Sequence, residues 1–446
     1  MIGGMRIMEF KLINRFGKKL LFLPNEILLF EIDNELFSLL YHRDTLPSFV
    51  KEEIYKQIPN NQKNNFAKSE KNFNIDAIVL TISHECNLQC KYCYGNSGTY
   101  NNAGIMDFKI AKMAIEKLFD KEQSNVGISF FGGEPLINFE VIRQVVKFAK
   151  KYLGKNVRFG ITTNGTLIND DIASFLKNND FNIMVSLDGN KLNNDKLRRT
   201  KNNEGTYTRI IEGIKTLTSH DINRRISVHA TLTSVNNDLI ELVKHFVNMN
   251  LLFTIQLVTE KELGLRPNLD KLSSTIDKYG KYIINLAKRK DYEKVFTQTF
   301  GWIKFTMDIL RRRSKRFYPC GGGRRVLVVN PIGDVYICHR LDGSDNGKVG
   351  NIVKNTREEI IKNAERLFSN KIHEVDHLQD CVNCWAKYIC AGRCYHESLI
   401  ETNKWNSIDK YSCHFRKKLI ELGLILYAHL PDELRNSFSK NNKIIN

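Results

Sequence analysis

Ten cysteines stand in this 446-residue chain, and their spacing is what could do chemistry. Cys86, Cys90 and Cys93 are set as C-x3-C-x2-C. Seven more run from Cys320 through Cys338, the C-x2-C pair Cys381 and Cys384, then Cys390 and Cys394, to Cys413. Thiolates are soft ligands suited to zinc or iron–sulfur sites. A [4Fe–4S] cluster is normally held by four of them, so three close cysteines would leave one iron open to a cofactor or substrate. The alternative is structural zinc, with His84 completing the first group and C-x2-C pairing the second. Disulfides are not expected. The segment Met1–Asn14 mixes charge and apolar residues too evenly for a signal peptide, and no apolar run of about 18 residues suggests a membrane span. A cytoplasmic protein is therefore expected, and in a reducing compartment clustered cysteines read as metal or catalytic sites.

Other polar motifs punctuate the chain after the first cysteines. Phe131-Gly132-Gly133-Glu134-Pro135 pairs two glycines, which let a backbone approach a ligand, with a carboxylate that can accept from an ammonium. An ordinary turn would look similar. Thr162-Thr163-Asn164-Gly165-Thr166 and Ser186-Leu187-Asp188-Gly189 contain turn dipeptides and carry the same ambiguity. Arg198 lies ten residues after Asp188, with Arg199 beside it. A guanidinium can grip a carboxylate through two parallel hydrogen bonds.

The elements that must position these residues can be read from periodicity. Glu9–Asn14, Lys19–Leu23 and Ile27–Ile32 read as strands, followed by a helix over Asn34–Tyr41 capped by Asp33 and a second over Pro47–Gln57. A polar stretch, 58–74, reads as a linker. Then apolar runs alternate with amphipathic helices such as Asp107–Phe119 and Phe139–Tyr152. The strands are Ile75–Ile82, Val126–Phe131, Val157–Thr162, Asn182–Leu187, Ile226–Leu232 and Phe253–Val258. Six strand–helix units imply an α/β fold with a parallel sheet, closed or partly closed as a barrel, with chemistry at the C-terminal strand ends. Residues 265–315 read as a helical bridge. From Cys320 the chain reads as loop-rich, and from about Phe415 it returns to helix.

The C-x3-C-x2-C loop, with Tyr92 before its last cysteine, resembles the radical S-adenosylmethionine superfamily over Ile75 to Thr259. The resemblance implies a partial (β/α)6 TIM-like barrel at 75–264. In it, Cys86, Cys90 and Cys93 hold a [4Fe–4S] cluster whose open iron chelates S-adenosylmethionine. It further implies cofactor contacts from Tyr92, Gly132, Gly133 and Glu134, the last two at the methionine amino group. Thr163 and Asn164 would lie near the cofactor, Ser186 at a ribose hydroxyl, Arg198 at the carboxylate and Leu257 at the adenine. The seven later cysteines resemble a SPASM domain, 316–414, with two auxiliary [4Fe–4S] clusters and three clusters in all. By that resemblance Cys320, Cys338 and Cys394 bind the inner cluster, and Cys381, Cys384, Cys390 and Cys413 the outer one. Many family members have one more cysteine just before the first. Here Arg313–Pro319 has none, so the inner cluster is expected to keep an open iron. Residues 415–446 complete the chain as a C-terminal helix.

Within the family, two branches compete. Sulfatase maturases carry an aspartate base after the cysteine matching Cys338, where this chain has His339. Residues 1–57 resemble the small winged-helix-like domain that binds the leader of a ribosomally made precursor. The expected function is therefore a peptide maturase installing Cys-to-carbon thioether crosslinks. Sulfatase maturation (formylglycine generation) and carbon–carbon crosslinking are the alternatives. No general base can be assigned. A flavodoxin or ferredoxin-type protein is the expected electron donor. The net charge of +18 is compatible with a zinc-binding nucleic-acid protein, but the lysines are scattered without a stripe. No nucleic-acid or membrane partner is expected, and an acidic leader suits the charge better. Anaerobically purified protein should be brown, with about twelve irons per chain. Replacing Cys86, Cys90 and Cys93 by Ala should abolish 5′-deoxyadenosine formation. Colourless, zinc-loaded protein would overturn the iron–sulfur reading.

Overall fold

A computed structural model describes residues 9–57 and 73–437, apart from positions 122, 155, 223–224, 260–262, 369–373, 393 and 406. The stretch read as a linker lies almost wholly outside these residues. The chain forms two compact units. The described parts of one are 9–57, 268–320 and 374–437; those of the other are 73–267 and 321–368.

In the first unit, β1 (Lys11–Arg15), β2 (Lys18–Leu23) and β3 (Leu28–Glu31) form an antiparallel sheet in that order. Asp33 caps the helix Asn34–Tyr41 by accepting from the Leu36 amide at 2.7 Å, a cap worth about 1 kcal/mol. A second helix covers Ser48–Gln57. Leu21, Leu23, Leu28, Leu40, Val50 and Ile54 close a core of their own, so the three strands and two helices expected from periodicity form a module. It is anchored within its unit. Arg15 pairs with Asp277 at 2.7 Å and Glu421 at 2.8 Å, and Phe22 meets Trp385 edge-on at 6.4 Å. The helices Leu269–Lys288, Gly301–Arg312 and Lys410–His429 build the rest.

The second unit holds β4 (Ala77–Ser83), β5 (Gly127–Gly132), β6 (Arg158–Thr163), β7 (Asn182–Ser186), β8 (Ile226–Leu232) and β9 (Leu252–Leu257), all paired in parallel. One face is apolar and sealed. Phe130, Phe159, Ile183 and Val228 are at most 2% exposed, and Phe253 packs on Phe246 of the helix Leu239–Asn248. The other face is half-open and polar. Register places Ser186, His229 and Thr254 side by side on it, and all three are partly exposed.

One expectation needs correction. The region after Cys320 is not only loops. Strands β10 (Val326–Val329), β11 (Asp334–Tyr336) and β12 (Lys348–Asn351) extend the same sheet, β10 lying parallel to β4 and the other two antiparallel. The sheet thus runs β12-β11-β10-β4-β5-β6-β7-β8-β9. These strands are three or four residues long, too short to show a period, and β10 has its partner about 250 residues upstream. The helix Arg357–Phe368 also went unanticipated. Among the described residues, no helix is long and apolar enough to cross a membrane.

Phe181 stacks on Phe130 and Phe159 at centroid distances of 5.8 and 5.4 Å. Phe181→Ala should cost about 3–5 kcal/mol. A thermal melt should show the loss, and an unchanged midpoint would refute this account of the core.

Candidate cofactor and cluster sites

The first cysteine loop leaves the end of β4 and is fastened by backbone contacts. The Gly133 amide donates to the Ser83 carbonyl and the Glu134 amide to the Glu85 carbonyl, each at 2.8 Å. Gly132 has φ +143, and a Cβ there would stand 2.3 Å from the Ser83 oxygen; one at Gly133 would stand 2.3 Å from the Glu85 oxygen. The two glycines therefore admit the cysteine loop itself. From the far side, the Gln89 amide donates to the Arg199 carbonyl at 2.7 Å and the Lys91 amide to the Leu197 carbonyl at 2.9 Å.

The three sulfurs lie close enough to sense one another. Burial, then Glu134, then the neighbouring cysteines push the Cys86 thiol up to about 12. Burial pushes Cys90 up to about 11, with Arg198 opposing. Thiols gathered this way resist ionisation until a cationic centre joins them, so the donor set fits an iron–sulfur cluster. None of the ten cysteines is in a disulfide. His84 does not fit the zinc alternative. Its Nδ1 meets the Asn102 carbonyl at 2.7 Å and its Nε2 meets Asp342 at 3.0 Å, so neither ring nitrogen is left for a metal.

Glu134 is completely buried and acts on the protein as much as on any ligand. Its carboxylate accepts from the Leu136 amide at 3.0 Å, the Thr163 hydroxyl at 2.7 Å and the Asn164 amide at 2.7 Å. Thr163 and Asn164 are thereby fixed at the end of β6. Asn164 Nδ2 donates to Asn87 Oδ1 at 2.8 Å and lies 3.9 Å from the Cys86 sulfur.

Arg198, rather than Arg199, faces the interior. Its NH1 donates to the Tyr92 hydroxyl at 2.5 Å, and that hydroxyl donates to Asp188 at 2.5 Å. Asp188 also accepts from the Thr231 amide at 2.9 Å. Arg198 Nε is buried with no hydrogen-bond partner among the described residues, an N–H left over for a carboxylate. Arg199 is spent on the Asp195 carbonyl and on Asn203. Leu257 shares the alternation of Phe253 and Ile255 in β9, on the helix-facing side; Gln256 takes the inward place.

Periodicity did not single out His229. It sits beside Ser186 on the inward face, its Nδ1 2.9 Å from the Thr254 hydroxyl. Burial first, then Arg198 and Arg340, push it down to about 4. A histidine amid the β-branched residues of a strand was the available signal.

The later cysteines divide between the units. In the barrel unit, Cys338 leads into a short turn, His339–Leu341. The His339 ring packs on Phe131 at 4.5 Å, and Arg340 lies over Tyr94 at 4.8 Å and bonds Thr259 at 2.5 Å. In the other unit, Cys381, Cys384, Cys390 and Cys413 line one cavity, with Arg416 and Lys417. That grouping matches the outer set drawn from the resemblance. Cys320 and Cys394 lie in this unit as well.

His229 gives a pH test. Folded, it stays neutral down to about pH 4, whereas the unfolded chain takes up the proton near the ordinary 6.5. Its contribution to stability is present above 6.5 and lost as pH falls toward 4. Over that window wild type should lose stability relative to His229→Asn in denaturant melts; parallel pH profiles would refute it.

Comparison with known proteins agrees with this geometry. Residues 80–247 match the radical SAM superfamily, and 320–385 match SPASM, an iron–sulfur cluster-binding domain. An uncharacterised protein of Methanocaldococcus jannaschii is 30% identical over 60% of this chain and 85% of its own length. The cysteine-type anaerobic sulfatase-maturating enzyme of Clostridium novyi is 27% identical over 72% and 87%. The radical SAM cyclopropyl synthase TigE of Paramaledivibacter caminithermalis is 26% identical over 80% and 76%. Among solved structures, anSMEcpe with bound AdoMet superposes with a TM-score of 0.68 at 18% identity, over 82% of this chain and 98% of that one. Streptococcus suis SuiB bound to precursor peptide SuiA gives 0.52 at 16% identity, over 91% and 99%. A thiol-ringed loop at the first barrel strand, a spare guanidinium N–H beside it and these matches lead to one conclusion: the chain is an enzyme of the radical SAM superfamily and carries a SPASM domain.

Proposed function

We propose that this enzyme modifies a ribosomally made precursor peptide, joining a cysteine sulfur to a carbon as a thioether. The observation that carries the reading is the N-terminal module. Among the described residues its strand β3 pairs only with β2. It borders a cavity of about 320 Å³, lined by Ile27, Leu28 and Leu29 and by Leu310, Tyr427 and Arg435. A strand edge beside such a cavity suits an extended leader that adds a strand. SuiB was solved with a precursor peptide, which supports a peptide substrate; TigE is named a cyclopropyl synthase, which fits the carbon–carbon alternative.

Cys86, Cys90 and Cys93 would hold the cluster with S-adenosylmethionine at its open iron, which would supply radical chemistry removing one hydrogen atom from a peptide carbon, while the thiol proton goes to solvent and the surplus electron to the auxiliary clusters. The chain's own residues do the placing. Arg198 offers its Nε–H to the cofactor carboxylate, held in line by Tyr92 and Asp188. Glu134 fixes Thr163 and Asn164 beside Cys86, and Ser186 stands on the inward face for the ribose. Two auxiliary clusters complete the reading, with Cys320, Cys338 and Cys394 as one ligand set and Cys381, Cys384, Cys390 and Cys413 as the other. Three ligands in the first set leave room for a substrate thiolate. A flavodoxin or ferredoxin-type donor in a reducing cytoplasm fits the same reading.

Sulfatase maturation is the second reading, favoured by the Clostridium novyi relative. Against it, His339 stands where an aspartate base is expected. The nearby carboxylate, Asp342, is buried and held by His84 at 3.0 Å and Asn330 at 3.0 Å. Co-expression with a short cysteine-containing reading frame from the same locus tests the proposal. Each crosslink should remove two hydrogens from the peptide mass. An unmodified peptide, together with conversion of a sulfatase cysteine or serine to formylglycine, would overturn it.

A further inference from the structure

The helix Lys410–His429 begins at Asp409, whose side chain accepts from the Tyr411 and Ser412 amides. Cys413 lies in its first turn, and Arg416 and Lys417 follow at i+3 and i+4. Residues so spaced share a helix face, and all three line the cavity formed with Cys381, Cys384 and Cys390.

Both cations stand beside cysteines. Arg416 has only 11% of its side chain exposed and pairs with Glu397, itself 13% exposed. Its guanidinium lies 5.9 Å from the Trp302 ring centre. It lines the same cavity as Cys390, whose thiol donates to the Gly392 carbonyl at 2.9 Å. Lys417 lines that cavity beside Cys381, Cys384 and Cys413. It makes no ion pair with a carboxylate among the described residues. Arg316 adds a third cation, near Cys390 and Cys320. Its guanidinium is anchored on the Ile389 and Pro319 carbonyls at 3.2 and 2.6 Å.

A cluster held by four thiolates is an anion, and reduction adds one more negative charge. N–H···S hydrogen bonds and buried cations favour the reduced form and raise the reduction potential. A purely structural arginine would need only Glu397. Here the pair also stands at the wall of the cavity that holds Cys381, Cys384, Cys390 and Cys413.

We propose that Arg416 and Lys417 are positioning residues that raise the reduction potential of the cluster bound by Cys381, Cys384, Cys390 and Cys413. The inference rests on the ligand assignment made above. The test is a redox titration of full-length, reconstituted enzyme followed by electron paramagnetic resonance, with iron content measured alongside. Lys417→Met and the double variant Arg416→Gln/Glu397→Gln should each keep wild-type iron but lower the outer cluster's midpoint. The expected drop is about tenfold in the reduced-to-oxidised ratio at fixed potential, about 59 mV for one electron. Lys417→Arg should keep the wild-type midpoint. If the double variant loses its clusters, Lys417→Met decides alone. Unmoved midpoints at full iron content overturn the inference, even with a lowered melting temperature. If Cys390→Ala leaves every cluster signal intact, the ligand assignment fails and the inference falls with it.

Discussion

The contact between the end of β5 and the first cysteine loop is what the cofactor site depends on. Two backbone hydrogen bonds, Gly133 to Ser83 and Glu134 to Glu85, lay one strand end against the next. No side chain fits between them. Once Glu134 is set there, its carboxylate becomes a fixed acceptor. Thr163 and the Asn164 amide close on it from β6, and Asn164 reaches back through Asn87 to the cysteine loop. Three strand ends are thus tied through one buried carboxylate. Each of its hydrogen bonds is needed, because an unpaired acceptor at that depth would carry a full desolvation cost.

Buried charge is the second theme. In the barrel unit, Arg198, Tyr92 and Asp188 form a chain with one N–H to spare. In the other unit, Arg416, paired with Glu397, and Lys417 line a cavity with four cysteines. Both arrangements offset the cost of holding thiolates away from water. They differ in purpose on the reading proposed here. The first leaves a donor for a ligand's carboxylate, and the second turns its donors on sulfur.

The proposed branch of the family rests on two side chains near Cys338. Asp342 is near the mouth but already committed to His84 and Asn330. At the adjoining position, His339 packs its ring on Phe131 instead of presenting an acid. An aromatic contact at that place shapes a pocket, whereas a carboxylate would move a proton.

The cysteine groups, the six strand–helix units, the N-terminal strands and helices, and the polar motifs at the strand ends are legible in the residues alone. These are local: a C-x3-C-x2-C loop, a GGEP turn and alternating apolar runs are legible within a few residues. Tertiary packing accounts for the rest. It chose Arg198 over Arg199, because burial beside Tyr92 is a property of the packed barrel. It took His84 out of contention as a ligand by pairing it with a residue 258 positions away. It drew β10 to β12 into the barrel sheet, since strands of three or four residues gain their stability from neighbours far along the chain. It also brought His229 into the row beside Ser186, and Arg416 and Lys417 into one cavity with Cys381, Cys384, Cys390 and Cys413. Nothing in the local pattern marks such a contact, because its energy comes from bringing distant groups together out of water.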